Sequence, residues 1–590
     1  MIRNLMRSTR LLSWRYLRWA IAIPALPLVL WACASHPLAQ PDPAPEMQTD
    51  VYISVAPNRQ LDLVFMVDNS PSMAPKVDKM NQQFTKLIAA LKDPNDGTLP
   101  DLRVALISSD LGTGGAYQSG SCAVKTLPDG TNSPFGDLGR FQMLTSPQQC
   151  TFDSGALFLE YKGGSPVNYP ANGDINTIFA CLASNLGTLG CGEEHQLQAF
   201  EFALAARGLN NEPQQEAFLR GSAYLGLVFL SDEDDCSAAM NDGMFGDRPE
   251  LRGESASLRC ATRGHECGGR RLADQGDSSV PGYPTENAYT HSFSDCRARE
   301  DTCPNTTDGY DQGTDTSVPT DCAPLKNIGH LADEIRALKS DPENQILVAG
   351  IFGWPLTDAE YESARYKIDM VPNPNSADTL HPEVYDYWPV CYDPDHFSQS
   401  DWDNFSVEHA GWGATGGLRL KAFIDEFGEN GLAFSICERD FSNSMKRIGD
   451  AIAKKLQNLC VDYKLVDTNP GESGVQADCR VVWRTPYPDP NDKTKVLYKE
   501  DPNSLPQCPA GATSGNVDQD CWQLTMDKNK CPVNGQLINV LRTAAEIAES
   551  KQLAPGTKVG MQCRTCTDFN ETLCKNAPES PACTGCDYTL

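Results

Sequence analysis

The strongest constraint on this chain is an apolar run, "LDLVFMV" (Leu61–Val67), that passes directly into a helical pattern. Such a run suits a strand covered on both faces. Met73, Val77, Met80, Phe84, Leu87, Ile88 and Leu91 then recur at three- and four-residue steps, one face of an amphipathic helix. "LRVALISSDL" (Leu102–Leu111) is a second strand of the same buried kind. Strand, helix, strand opens a parallel α/β sheet. The alternation continues with helices at "EEHQLQAFEFALAA", "LKNIGHLADEIRALK" and "GLRLKAFIDEF", and with strands at "AYLGLVFLS", "NQILVAGIFGW" and "LAFSIC". "FSNSMKRIGDAIAKKLQNL" closes the unit. The pattern predicts one doubly wound, mostly parallel α/β domain over residues 58–460.

Two stretches are too long for ordinary connections, residues 231–323 and 353–416. The first holds Cys236, Cys260, Cys267, Cys296, Cys303 and Cys322. The second holds Trp354, Trp388, Trp402, Trp412 and Cys391. Both leave carboxyl ends of strands, the edge where open α/β sheets bind ligands. Residues 461–590 are rich in cysteine and proline, with one helical pattern at "QLINVLRTAAEIAES". They read as a small disulfide-held C-terminal domain.

Chemistry concentrates at "FMVDNSPSM" (Phe65–Met73), where the first strand leaves through Asp68, Ser70 and Ser72. An acid and hydroxyls after a strand also serve as turn and helix-cap residues. "DNSPS" resembles the D-x-S-x-S signature of the von Willebrand factor A family. "FLSDED" (Phe229–Asp234) resembles that family's later strand ending in a metal aspartate. The similarity covers residues 58–460, and the whole chain is most similar to cysteine-rich von Willebrand A lipoproteins of bacteria. The resemblance implies that Ser70 and Ser72 bind a divalent metal directly, with Asp68 and Asp232 acting directly or through water. Mg²⁺ is the first expectation, with Mn²⁺ or Ca²⁺ as alternatives; all take hard oxygen ligands. The family's third loop supplies a threonine. Here Glu194 stands nearest that place, with Thr188 as the alternative. Glu233, Asp234 and Asp235 read as solvated loop acids.

The remaining composition places the chain. Asp and Glu total 78 against 49 Lys and Arg, a formal charge of −29, which argues against nucleic acid as a partner. The N-terminus carries Arg3, Arg7, Arg10, Arg15 and Arg18, then "WAIAIPALPLVL" (Trp19–Leu30), the layout of an export signal over residues 1–32. "LWAC" (Leu30–Cys33) resembles a bacterial lipobox, which implies lipidation of Cys33 and a membrane anchor. Ala34 after it implies the outer membrane of a Gram-negative cell. The proline-rich stretch to residue 57 reads as a tether. The 23 cysteines fit an oxidising compartment with up to eleven disulfides once Cys33 is set aside.

"CRTC" (Cys563, Cys566) and "CTGC" (Cys583, Cys586) have zinc-ribbon spacing, although exported thiols usually pair as disulfides. The expected function is metal-dependent protein–protein interaction or adhesion, in which an acidic side chain of an unidentified partner completes the metal's coordination. A metal-dependent envelope hydrolase and a structural component with an occluded metal site are the alternatives.

Overall fold

The computed structural model describes residues 48–54, 60–92, 99–113, 124–142, 156–204, 217–238, 256–271, 291–300, 324–355, 366–372, 383–396, 412–456, 464–488, 496–526, 535–547 and 557–566, apart from single positions and pairs within them. Short pieces around 122, 150, 214, 245, 461 and 585 are also described. The export signal, Cys33, most of the tether, Cys303, Cys322, Trp388, Trp402 and Cys583 lie outside these residues.

Seven strands form the central sheet: β1 (Gln60–Val67), β2 (Asp101–Ser108), β3 (Leu159–Lys162), β4 (Ser165–Pro166), β5 (Tyr224–Ser231), β6 (Ile346–Phe352) and β7 (Gly431–Ser435), in the order β7-β6-β5-β1-β2-β3-β4. β1 pairs in parallel with β2 and β5, and β6 in parallel with β5 and β7. Only the β3–β4 edge runs antiparallel. The described α-helices of eight residues or more are α1 (Ala74–Leu91), α2 (Ile175–Asn185), α3 (Gln196–Leu204), α4 (Ala256–Gly264), α5 (Ile328–Arg336), α6 (Leu418–Asp425) and α7 (Ser442–Leu456).

Side-chain alternation explains why the parallel strands read as continuous apolar runs. Leu61, Leu63, Phe65 and Val67 of β1 join one core with α1, α2 and α7. Val64 and Met66 join a second core with α3, α5 and α6 on the opposite face. Both faces are therefore dry, as doubly wound sheets require. On the first face Phe65, Phe84 and Phe179 pack ring to ring, with Phe84 and Phe179 stacked at 3.7 Å between centroids. Gly449 lets α7 approach α1 closely, because a Cβ there would lie 2.7 Å from that of Ala90.

Three features differ from the sequence expectation. Helix α2 and the β3–β4 pair carry weak signals, since the strands are four and two residues long. In the tail, Gln536–Leu541 is a strand rather than the start of a helix. Its alternating side chains pair antiparallel with Cys521–Met526, and that tertiary pairing overrides helix propensity. The described helix there is only Ala544–Ile547.

The chain groups into two compact units, and the grouping does not follow the 460/461 boundary. Arg480–Met561 groups with the α/β unit. The other unit contains Tyr463–Cys479 and Gln562–Thr589, with Leu465 bridging Thr565 and the disulfides Cys479–Cys563 and Cys566–Cys586. Those bonds consume three of the four thiols of the zinc-ribbon spacing. Within the α/β unit Cys122–Cys191, Cys150–Cys181, Cys236–Cys260, Cys267–Cys296, Cys391–Cys437 and Cys508–Cys521 are paired. Truncating the stacked ring, Phe84→Ala, is expected to lower the free energy of unfolding by about 3–5 kcal/mol in urea denaturation.

Candidate metal centre

The register of β1 against β5 sets Val67 opposite Leu230. Asp68 therefore stands beside Ser231, one residue before Asp232, at the carboxyl edge of the sheet. The Asp68 amide donates to the Leu230 carbonyl at 2.9 Å, carrying the pairing one residue past the strand. Its carboxylate accepts from the Ser70 amide at 2.8 Å and from the Ser231 hydroxyl at 2.7 Å. The turn-forming role of Asp68 is thus real, and it leaves the serine hydroxyls free of the backbone. Ser70 Oγ and Ser72 Oγ lie 3.2 Å apart. Burial first, and the neighbouring Asp232 carboxylate second, push Asp68 up to about 6.

The two third-loop candidates separate by burial. Glu194 is 1% exposed. Burial raises its pKa well above the usual range, and Glu233, Asp68 and Asp232 add to that effect. Glu194 therefore shares the electrostatic environment of the two aspartates. Thr188 sits beside Leu189, which is 84% exposed, on the turn before the loop enters the cluster. The loop is held from several sides. The Gly190 amide donates to the Asn69 carbonyl at 2.8 Å, the His195 amide to Ser109 at 3.1 Å, and Cys191 is bonded to Cys122. A Cβ at Gly190 would overlap the Asn69 carboxamide, which would have to move to admit it.

Sequence reasoning did not anticipate Lys76. It lies one helical turn beyond Ser72 on α1, 2% exposed, and its ammonium pairs with Asp232 Oδ2. The same nitrogen donates to the Gly413 carbonyl at 2.9 Å and reaches the Ser72 carbonyl at 3.5 Å. Gly413 belongs to a hairpin of the second insertion, in which Cys391 and Tyr392 pair with Ala414 and Gly413. Thr415 donates its amide to the Asp232 carbonyl at 2.9 Å. Lys79, three residues along α1, pairs with Asp393 of the hairpin and donates to the Glu438 carbonyl at 2.9 Å. His396 stacks on Trp412 at 3.7 Å, and Cys391–Cys437 ties the hairpin beyond β7. The insertion is therefore seated against the Asp232 loop. The available signal was the spacing of Lys76 and Lys79 on an otherwise apolar helix face.

The acids after Asp232 are not all solvated, which corrects the sequence reading. Asp234 and Asp235 are 4% and 0% exposed. Asp234 accepts from the amides of Arg419 and Leu420 at the start of α6 and pairs with His265 Nε2 at 2.6 Å. Asp235 accepts from the Leu197 amide at the start of α3 and pairs with the buried Arg419 guanidinium at 3.0 Å. Carboxylates at helix N-termini satisfy amides that the helix itself leaves unpaired. A run of acids on a loop thus caps two helices from outside. Glu193, pushed by burial to about 7, lies against the Cys236–Cys260 disulfide, whose sulfurs are already bonded to each other.

Carboxylate and hydroxyl oxygens are the donors a hard cation takes. Asp232 Oδ1 and Glu194 Oε1 are buried with no hydrogen-bond partner; among the described residues, the one group of three or more acid, histidine or cysteine ligand atoms within 4.8 Å of one another is Glu193 with the disulfide-bonded Cys236 and Cys260. Unsatisfied buried carboxylate oxygens are costly, and a divalent ion would satisfy them. Ser70, Ser72, Asp68, Asp232 and Glu194 are the residues that would hold it.

No family model and no curated protein matches the chain. Among solved structures the chain is similar to the pilus adhesin RrgA from Streptococcus pneumoniae, at 12% identity and a TM-score of 0.23. That match covers 88% of this chain and 59% of the adhesin chain. No described helix is long and apolar enough to cross a membrane.

Removing one member of the buried pair, Arg419→Ala, should destabilise the protein by about 3–5 kcal/mol in urea denaturation, because it strands Asp235. Lys421→Ala, which breaks an exposed pair with Asp425, should change stability by less than about 0.5 kcal/mol.

Proposed function

We propose that this chain is a cell-envelope lipoprotein whose α/β domain is of the von Willebrand factor A type and captures a protein partner through a divalent cation, Mg²⁺ first. One observation carries the reading: Asp68 and Asp232 are buried where neighbouring parallel strands end, Asp232 keeps an unpartnered oxygen, and the Ser70 and Ser72 hydroxyls face each other just after the first of those strands. When bound, the cation supplies an electrophilic position that an acidic side chain of the partner can complete. The chain's own residues orient the site. Ser231 and the Ser70 amide fix the Asp68 carboxylate, and the Gly190 contact with Asn69 holds the third loop in place. Leu189, exposed on that loop, offers an apolar contact at its rim.

A hydrolase would need a histidine at the cluster. Of the described insertion histidines, His265 pairs with Asp234 and His396 stacks on Trp412. The occluded-site alternative draws on the hairpin, which binds the backbone of Asp232 and the ammonium of Lys76. In that case the ion would be a structural fixture and partner binding would ignore chelator.

Melting of the oxidised full-length protein in mild detergent tests the reading. Mg²⁺ or Mn²⁺ should raise the midpoint by a few degrees relative to EDTA, as expected for a ligand that binds only the folded state. Ser70→Ala and Asp232→Asn should abolish the shift; an unshifted wild type would refute the metal site. Capture from envelope extracts should require the metal, and EDTA-resistant capture would favour the occluded alternative. Metabolic labelling with an alkyne fatty acid should tag the wild type and spare Cys33→Ala.

A further inference from the structure

We propose that Gln196 is a positioning residue for the candidate metal centre: its carboxamide directs the buried Ser231 hydroxyl onto Asp68, and so sets how well that aspartate is oriented toward a cation. This rests on the metal reading above and deepens it by assigning a role to a residue outside the ligand set.

Gln196 opens α3 and Ser231 ends β5. Both side chains are fully buried, as is Asp68. The loop after β5 lies along the first turn of α3. The Cys236 amide donates to the Glu194 carbonyl at 2.8 Å, the Leu197 amide to Asp235 at 3.0 Å, and the Gln198 amide to Ser237 Oγ at 3.0 Å. These contacts hold the backbone on both sides of Gln196, and its side chain reaches back to the end of β5. Gln196 Nε2 donates to Ser231 Oγ at 2.9 Å and to the Glu233 carbonyl at 3.3 Å. A carbonyl can only accept, so the carboxamide nitrogen, not its oxygen, faces it.

A hydroxyl has one proton to give and two lone pairs. Those of Ser231 receive Gln196 Nε2 and the Glu233 amide, the latter at 3.3 Å. Its proton has two acceptors within reach, Asp68 Oδ2 at 2.7 Å and the Glu233 carbonyl at 3.1 Å. Gln196 already donates to that carbonyl, which leaves the proton to the nearer carboxylate. A carboxylate that holds a metal is deprotonated, so it accepts here. Asp68 Oδ1 takes the Ser70 amide at 2.8 Å, and each oxygen of Asp68 thus has one fixed donor. Gln196 Oε1 is buried with no hydrogen-bond partner. A methionine of similar length would avoid that cost, and what the glutamine adds is the nitrogen on Ser231.

Calorimetric titration of Mn²⁺ into the full-length oxidised protein in mild detergent tests this chain of hydrogen bonds, with folding of each variant checked by circular dichroism. S231A and Q196M should each weaken Mn²⁺ binding by on the order of tenfold, as when a group that orients a metal ligand is lost. S231T keeps the hydroxyl and should stay within about threefold of wild type. The double variant S231A/Q196M should bind within about threefold of S231A, because Gln196 has no route to Asp68 once the hydroxyl is gone. Two independent packing losses would instead multiply to about a hundredfold. Should Q196M not fold, Q196N, whose amide is drawn back by one methylene, takes its place in the same cycle. Wild-type affinity in Q196M, or a double variant weaker than S231A by the full factor of Q196M, overturns the proposal. A wild type that binds no Mn²⁺ overturns instead the metal reading beneath it.

Discussion

Parallel pairing of β1 with β5 is the constraint on which the site depends. Once Val67 faces Leu230, Asp68 stands beside Ser231, and the chains that leave the two strands begin within a residue of one another. On those chains stand Asp68 and Asp232, two acids in a place that water barely reaches. Everything nearby answers the resulting electrostatic cost. Ser231 and the Ser70 amide bind Asp68, Lys76 binds Asp232, and the loop carrying Glu194 is clamped by Cys122–Cys191 and by the Asn69 contact. The last of these brings a third acid to the same place, where a proton or a further cation lowers its cost.

The insertions are built around the same edge. The loop after β5 spends Asp234 and Asp235 on the N-termini of α6 and α3, tying helices of one face to the strand that carries Asp232. Arg419 and His265 complete that buried network. The hairpin after β6 is fastened through Lys76, Lys79, Thr415 and Cys391–Cys437. Lys76 is thus shared between the acid cluster and the hairpin, and anything that disturbs Asp232 is felt by both. That sharing is a structural route by which cation binding and hairpin seating can be linked.

Much of the fold was legible because both faces of the sheet are dry. β1, β2, β5 and β6 read as largely apolar runs, broken only by Asp62 in β1 and Arg103 in β2, and α1, α5 and α7 read as regular apolar stripes. The edge pair β3–β4 was too short to announce itself. Gln536–Leu541 carried a helix-compatible pattern that its pairing with Cys521–Met526 overrode. At the candidate site, the places of Asp68, Ser70, Ser72 and Asp232 just after strands were legible from the apolar runs that precede them. The place of Glu194 just before α3 was legible by counting back from the apolar face of that helix. Lys76 carried only the weak signal of a lysine beside the apolar face of α1, and its role became visible once a second strand delivered Asp232 beneath it. Asp234 and Asp235 were misread for a related reason. The helix ends they cap lie far away in sequence, at Leu197 and Arg419.

The central claim is that this cluster of acids and hydroxyls receives a divalent cation while Lys76 remains on Asp232. Crystals grown with Mn²⁺ and measured at the manganese absorption edge test it most directly. The expected result is one anomalous peak within coordination distance of Ser70 Oγ and Ser72 Oγ, roughly 2.0–2.4 Å, with the Lys76 ammonium still on Asp232. An absence of anomalous signal there, with the ammonium itself against the serine hydroxyls, would contradict it.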